Sequence, residues 1–220
     1  VLLIAIDGPA GSGKSTVARK VAQVLGLPFL DTGAMYRAVT FACMEKEIRV
    51  EETEKIEFLL KTMDLELRKE GIFLSGKDIS KEIRFPEVSQ KVSLYASLPI
   101  VRKYLVILQR KQAQEPGLVT EGRDMGTVVF PEARFKFFLW ADPKERARRR
   151  FQELQEKGSI PSLSYEEVLR NILERDSLDI NRKESPLRKA DDAVEVDTTN
   201  LSINEVVECL LCRISSFREK

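Results

Sequence analysis

The side chains best placed to do chemistry in this sequence surround Lys14. Gly8, Pro9, Ala10, Gly11, Ser12, Gly13, Lys14, Ser15 and Thr16 follow one another, and residues 8–15 fit the pattern G-x-x-x-x-G-K-[ST]. The residue types suit an anion. Glycine lets successive backbone N–H groups turn inward without a Cβ in the way. A helix starting at the end of such a loop adds the positive end of its dipole. Lys14 can reach the β and γ phosphates of a nucleotide, and the Ser15 hydroxyl can ligate magnesium. The stretch therefore reads as a phosphate cradle for residues 8 to 16, with Lys14 also the first candidate for charge stabilisation during transfer.

A phosphate cradle alone leaves the reaction open between switches, motors and small-molecule kinases. A guanine-reading Asn-Lys-x-Asp is absent; "INRKES" lacks the aspartate. A kinase with an anionic acceptor needs a second, arginine-rich site. Arg37 follows "DTGAMY", Arg102 follows "SLPIV", Arg123 lies in "EGRDMGT", and Arg175 and Arg182 bracket Asp179 in "ERDSLDINR". "EGRDMGTVVFP" comes where a parallel sheet presents its carboxyl edge, the usual place for ligands. Two rival classes remain at this point. One is a nucleotide-binding regulator, for which dedicated acceptor arginines have no purpose. The other is a P-loop kinase with a different small acceptor, such as shikimate or another monophosphate.

The elements that must position these groups follow from periodicity. "VLLIAID" (1–7) is a continuous apolar run, expected to be a central strand buried on both faces. "GKSTVARKVAQVLG" has helical apolar spacing and a C-cap glycine at Gly26. A short apolar segment, a turn at Asp31–Gly33 and another helix are expected next. "MDLELRKEGIFLSGKDIS" alternates apolar and polar residues, predicting a small antiparallel lobe at about 62–85. "PEVSQKVSLYAS" and "PIVRKYLVILQRKQAQ" return to helix. Residues 117–122 and 134–140 read as core strands, followed by a basic helix, a long polar helix, a short strand in "DAVEVDTT" and a terminal helix. The grammar is that of an α/β protein. We expect a three-layer P-loop fold with a doubly wound five-stranded parallel sheet and a small inserted antiparallel β lobe, all in a single domain over 1–220.

Bulk properties agree. The 220 residues are 43% hydrophobic, enough for one sizeable core, and the net charge of +1 gives no global field to recruit nucleic acid or an anionic membrane. "VLLIAI" is too short to span a bilayer, and the expected compartment is the cytoplasm. Three cysteines make no disulfide framework. Cys209 and Cys212 form a CxxC in a helical apolar pattern, read as thiols partly packed in the terminal helix. The sequence has no histidine to complete a zinc site with them.

"IDGPAGSGKST", "LDTGAMYR", "SLPIVR", "EGRDMGTVVFPEA" and "ERDSLDINR" occur in the order found in bacterial cytidylate kinases, which this chain resembles essentially end to end. The resemblance implies transfer of the γ-phosphoryl group of ATP to CMP or dCMP with Mg2+. These small molecules would be the partners, without nucleic acid or membrane, and the protein is expected to be a monomer. It implies ATP phosphates at Gly8 to Thr16, the CMP phosphate on Arg37 and Arg123 with Arg182 nearby, and cytosine at Ser93, Arg102 and Asp124. Arg175 and Asp179 would address the ribose, while Thr32 and Tyr36 would line the acceptor pocket. Lys14, Arg123 and Arg182 would act on the transferring group. A lid is implied at about 146–162, with Arg146, Arg148, Arg149 and Arg150 as candidates to approach the phosphates. Two departures are visible: Glu121 stands where the family often has aspartate, and "DTG" replaces the commoner "DSG". The base assignment has its own chemistry. Cytosine offers an N4 donor to Asp124 and acceptors to Arg102, whereas uracil would set an acceptor against Asp124.

Overall fold

Strand β1 (Leu2–Asp7) is buried along Leu3 to Asp7, as its unbroken apolar run requires. In the computed structural model, which describes residues 1–68, 71–156 and 164–216, β1 is the centre of a five-stranded parallel sheet. Its partners are β2 (Phe29–Asp31), β6 (Gly117–Gly122), β7 (Phe135–Trp140) and β8 (Val194–Asp197), in the order β2-β6-β1-β7-β8. Asp7 lies opposite Gly122, Ile4 opposite Phe135, and Phe137 opposite Val194. From β1 the chain passes to β2 at one edge, returns to β6 beside β1, and then adds β7 and β8 on the other side. Strands are added on both sides of β1 and helices flank the sheet, the doubly wound arrangement expected from the sequence.

Two compact units divide the chain, Val1–Leu30 with Gln112–Lys220, and Asp31–Lys111. In the first, helix α1 (Lys14–Leu25) turns Val17, Ala18, Val21 and Ala22 into the core. Gly26 closes it in the left-handed conformation, and the Leu27 N–H reaches back to the Ala22 carbonyl at 2.9 Å. Helix α8 (Ile203–Ser215) is opened by a reciprocal Ser202–Glu205 capping box and buries Val206, Val207, Leu210 and Ile214 in the same core as Ile4, Ile6 and Phe137. Its opposite face carries Cys209 and Cys212, both free and exposed; the thiols are not packed as the sequence reading had them. Helices α6 (Pro143–Glu156) and α7 (Tyr165–Asn181) pack on each other through Ala147, Val168 and Ile172.

The second unit begins with a correction. The expected turn at Asp31–Gly33 is the end of β2 and the first turn of α2 (Thr32–Glu45), and the Asp31 carboxylate caps that helix by accepting the Ala34 N–H at 2.8 Å. Aspartate and glycine here mark a helix start, not a reversal. Helix α3 (Thr53–Thr62), for which the sequence pattern predicts no element, buries Ile56, Leu59 and Leu60. The alternating segment forms a three-stranded antiparallel sheet, β3 (Leu65–Leu67), β4 (Ile72–Leu74) and β5 (Lys77–Asp78). Helices α4 (Pro86–Ala96) and α5 (Pro99–Lys111) complete the unit, each opening on a proline at its first position. Among the described residues, no helix is long and apolar enough to cross a membrane.

Candidate active site

The loop after β1 has the geometry that an anion needs. Gly8 sits at φ 147°, and a Cβ there would lie 1.9 Å from the Leu139 carbonyl oxygen, so only glycine fits beside β7. The Lys14 ammonium donates to the Pro9 carbonyl at 2.6 Å and to Ser12 Oγ at 3.4 Å. Lys14 is buried, while Ser15 and Thr16 at the start of α1 are exposed. Burial pulls the Lys14 ammonium down from its ordinary 10.5 to about 7, and the positive charges of Arg123 and Arg175 add to that. Two of the arginines named as acceptor groups from the sequence therefore act on the charge of the donor-loop lysine.

Those arginines are ordered by aspartates in the same unit. Arg123 Nε donates to Asp179 Oδ2 at 2.8 Å. Arg182 lies with Nη2 3.7 Å from Asp124 Oδ1 and Nη1 3.9 Å from Asp179 Oδ1, and its Nε donates to the Ser185 carbonyl. Burial alone would raise the Asp179 carboxyl; Arg123, then Arg175 and Arg182, outweigh it and hold it below the usual carboxylate range. Asp124, Arg123, Arg175, Asp179 and Arg182 thus form one cluster, with α7 supplying Arg175 and Asp179, the residue that ends it supplying Arg182, and the turn after β6 the other two.

Two buried acids behind the loop were not given a settled role by the sequence. Asp7, the last residue of β1, accepts the N–H groups of Met125 and Gly126, each at 2.8 Å, and so fixes the turn that carries Arg123 and Asp124. Burial nevertheless raises its carboxyl to about 7, with the Asp124 charge adding to the effect. Its signal was present in "AIDGP" as a lone acid ending an apolar strand. Glu121 accepts the Ser15 hydroxyl at 2.8 Å. A hydroxyl and a carboxylate side by side are hard oxygen donors of the kind magnesium takes, so this pair fits the ion; both Asp7 oxygens are already occupied by amides.

The other acceptor candidates belong to the second unit. Thr32 is buried in the first turn of α2. Arg37 is paired with Asp31, 3.2 Å from Nη2 to Oδ2. Tyr36 and Arg102 are brought together, the guanidinium 5.5 Å from the ring centroid, and Arg102 Nη1 donates to the Ala96 carbonyl at 3.4 Å. Ser93 is buried on α4.

The four arginines of α6 separate clearly. Arg148 and Arg150 are paired with Glu145 and Glu153 on their own helix. Arg149 binds Glu145 and the Thr198 and Thr199 carbonyls. Arg146 alone of the four bonds to the phosphate loop, donating from Nη1 to the Ala10 carbonyl at 3.0 Å. Residues 157–162 of the expected lid lie outside the described residues.

A parallel sheet of this order, a Gly-x-x-x-x-Gly-Lys-Ser loop at its first strand and an arginine cluster in the same unit define a phosphotransferase of the P-loop class. The fold is shared with a shikimate kinase from Bacteroides thetaiotaomicron, with a TM-score of 0.51 and 13% identity, over 100% of this chain and 99% of that one. The chain belongs to the cytidylate kinase family, whose model, described as cytidylate kinase, matches residues 4–216. It is 53% identical to a cytidylate kinase of Caldanaerobacter subterraneus subsp. tengcongensis over 205 residues, 93% of this chain and 91% of the relative. A cytidylate kinase of Clostridium perfringens (strain SM101) is 46% identical over 220 residues, 100% and 99% of the two chains.

Proposed function

We propose that this chain transfers the γ-phosphoryl group of ATP to CMP or dCMP, giving ADP and CDP or dCDP. The observation that carries this reading is the Arg123 and Arg182 cluster held by Asp124 and Asp179 in the same unit as the Lys14 loop, because phosphoryl transfer between two anions needs positive charge along the whole path. The loop amides of residues 8 to 16 hold the donor phosphates. Lys14 and the arginines balance charge on the transferring group. The acceptor oxygen is already anionic, so no strong base is required.

On the acceptor side Arg37, Arg123 and Arg182 bind the CMP phosphate, Arg175 and Asp179 the ribose, and Thr32 and Tyr36 line the pocket. Ser93, Arg102 and Asp124 read the base. Asp124 is buried, so a mismatched uracil would set its O4 acceptor against the carboxylate, which discriminates far better than shape alone. Ser15 and Glu121 would hold Mg2+, which supplies charge neutralisation at the β and γ phosphates when bound. The chain acts as one kinase domain, with an acceptor lobe at about 62–85 and a lid at about 146–162. We propose a cytoplasmic monomer.

The test is a coupled ADP-release assay with a panel of monophosphates. CMP and dCMP should stimulate ADP release well above background. No stimulation by CMP would defeat the kinase reading, and faster turnover of UMP or AMP would reassign the acceptor.

A further inference from the structure

A phosphate loop binds only if its peptide planes are turned the right way. In a trans peptide the C=O and the following N–H point in opposite directions. Holding a carbonyl on the outside of the loop therefore aims the next residue's N–H at the inside. The peptides Ala10–Gly11 and Ser12–Gly13 are trans.

The structure supplies an outside partner for both. Arg146 comes from α6 and is 3% exposed. Its Nη1 donates to the Ala10 carbonyl at 3.0 Å and forms an ion pair with Asp176 Oδ2 at 2.7 Å, while its Nε donates to the Ala141 carbonyl at 2.8 Å. The guanidinium is thus fixed from three sides, and Asp176 on α7 is the group that balances its charge. The packing is equally tight. Gly11 is at φ 75°, and a Cβ there would sit 3.2 Å from the Arg146 Cβ. On the Ser12 side, Thr198 Oγ1 lies 3.3 Å from the Ser12 carbonyl and 3.1 Å from the Trp140 carbonyl, and takes a hydrogen bond from Arg149 Nη1 at 3.2 Å. The Gly13 carbonyl accepts the Val17 N–H at 3.0 Å, the first bond of α1. The carbonyls of Ala10, Ser12 and Gly13 are therefore all engaged by the protein.

We infer that Arg146, anchored by Asp176, is a positioning residue of the donor site: it holds the Ala10 carbonyl outward and so presets the Gly11 N–H to receive a phosphate oxygen. Thr198 performs the same task at Ser12, less strongly because its hydroxyl is shared. Neither side chain needs to touch the nucleotide. Arg146 is placed for this by the start of α6, whereas its neighbours Arg148 and Arg150 are bound to acids of their own helix. The inference rests on the reading of residues 8 to 16 as the donor phosphate site.

The experiment compares the wild type with Arg146→Lys, Asp176→Asn and Thr198→Val. Lysine at 146 keeps the charge but cannot hold three acceptors in fixed directions. Binding of inorganic pyrophosphate is measured by calorimetry, and KM for ATP and for CMP by steady-state kinetics. Arg146→Lys should weaken pyrophosphate binding and raise KM for ATP by about tenfold, with KM for CMP within about twofold. Asp176→Asn should do the same to a smaller degree, and Thr198→Val least. If pyrophosphate affinity is unchanged, or both KM values move together, the inference is overturned. Should Arg146→Lys fail to fold, Asp176→Asn and Thr198→Val decide by the same criteria. The pyrophosphate measurement needs no CMP turnover, so its outcome is separable from that of the kinase reading.

Discussion

The donor loop and the arginine cluster lie in the same unit and prepare for anions by opposite means. The loop from Gly8 to Thr16 offers backbone donors, and its side chains mostly keep the backbone in shape: Lys14 and Ser12 bind the Pro9 carbonyl, and Arg146 binds that of Ala10. The cluster offers side-chain charge, and the cost of collecting Arg123, Arg175 and Arg182 in one place is met by Asp124 and Asp179. A backbone site is generic: it accepts a phosphate of any nucleotide. A side-chain site is particular, because the same aspartates that order the arginines can also discriminate among acceptors.

Removing the one charged side chain of the loop should have the largest effect. Lys14→Ala is expected to lower kcat/KM by about a thousandfold, read in the ADP-release assay, since a preorganised charge at the transferring group is lost. A fall of less than tenfold would shift the catalytic burden to the arginines. The cluster should respond differently, in stability as well as rate. Arg123→Ala takes from buried Asp179 the guanidinium 2.8 Å away and should cost about 3–5 kcal/mol in urea denaturation. The double replacement Arg123→Met with Asp179→Leu should recover most of that stability but not activity. Recovery of both would make the pair purely structural.

A smaller effect tests particularity. Asp124→Asn should shrink the preference for CMP over UMP by about ten- to a hundredfold, and an unchanged ratio removes Asp124 from base reading. The smallest effect concerns protons. Because burial depresses Lys14, its contribution to stability is present above its ordinary 10.5 and is lost as pH falls through about 7. Phosphate restores the charge, so ATP binding at pH 8 should take up part of a proton, measured by calorimetry in buffers of different ionisation heat. Lys14→Met should abolish the uptake. Asp7 has the opposite dependence: raised to about 7, it contributes stability below its ordinary 3.8 that is lost as pH rises through 7.

The amino-acid order was enough to read β1, the loop, α1 with its Gly26 cap, β6 and the antiparallel lobe, because each has a residue pattern contained within a few positions. Helix α3 went unread: with buried residues only at Ile56, Leu59 and Leu60, its apolar signal is short. "DTG" was read as a turn because aspartate and glycine serve turns and helix starts alike, and the Asp31 bond to Ala34 distinguishes them. Arg146, Arg148, Arg149 and Arg150 looked equivalent in "ERARRR", and their bonding partners separate them.

By itself the sequence determined the donor chemistry, because a phosphate loop is a local device whose glycines and lysine must be adjacent in the chain. It also contained every acceptor candidate. Only the tertiary structure decided which of these charges act on one another. Arg123 and Asp179 are 56 residues apart, and Asp7 lies 118 residues before the Met125 N–H that it holds. Charge interactions at such separations depend on distance and burial in three dimensions, and neither quantity is written in the order of residues.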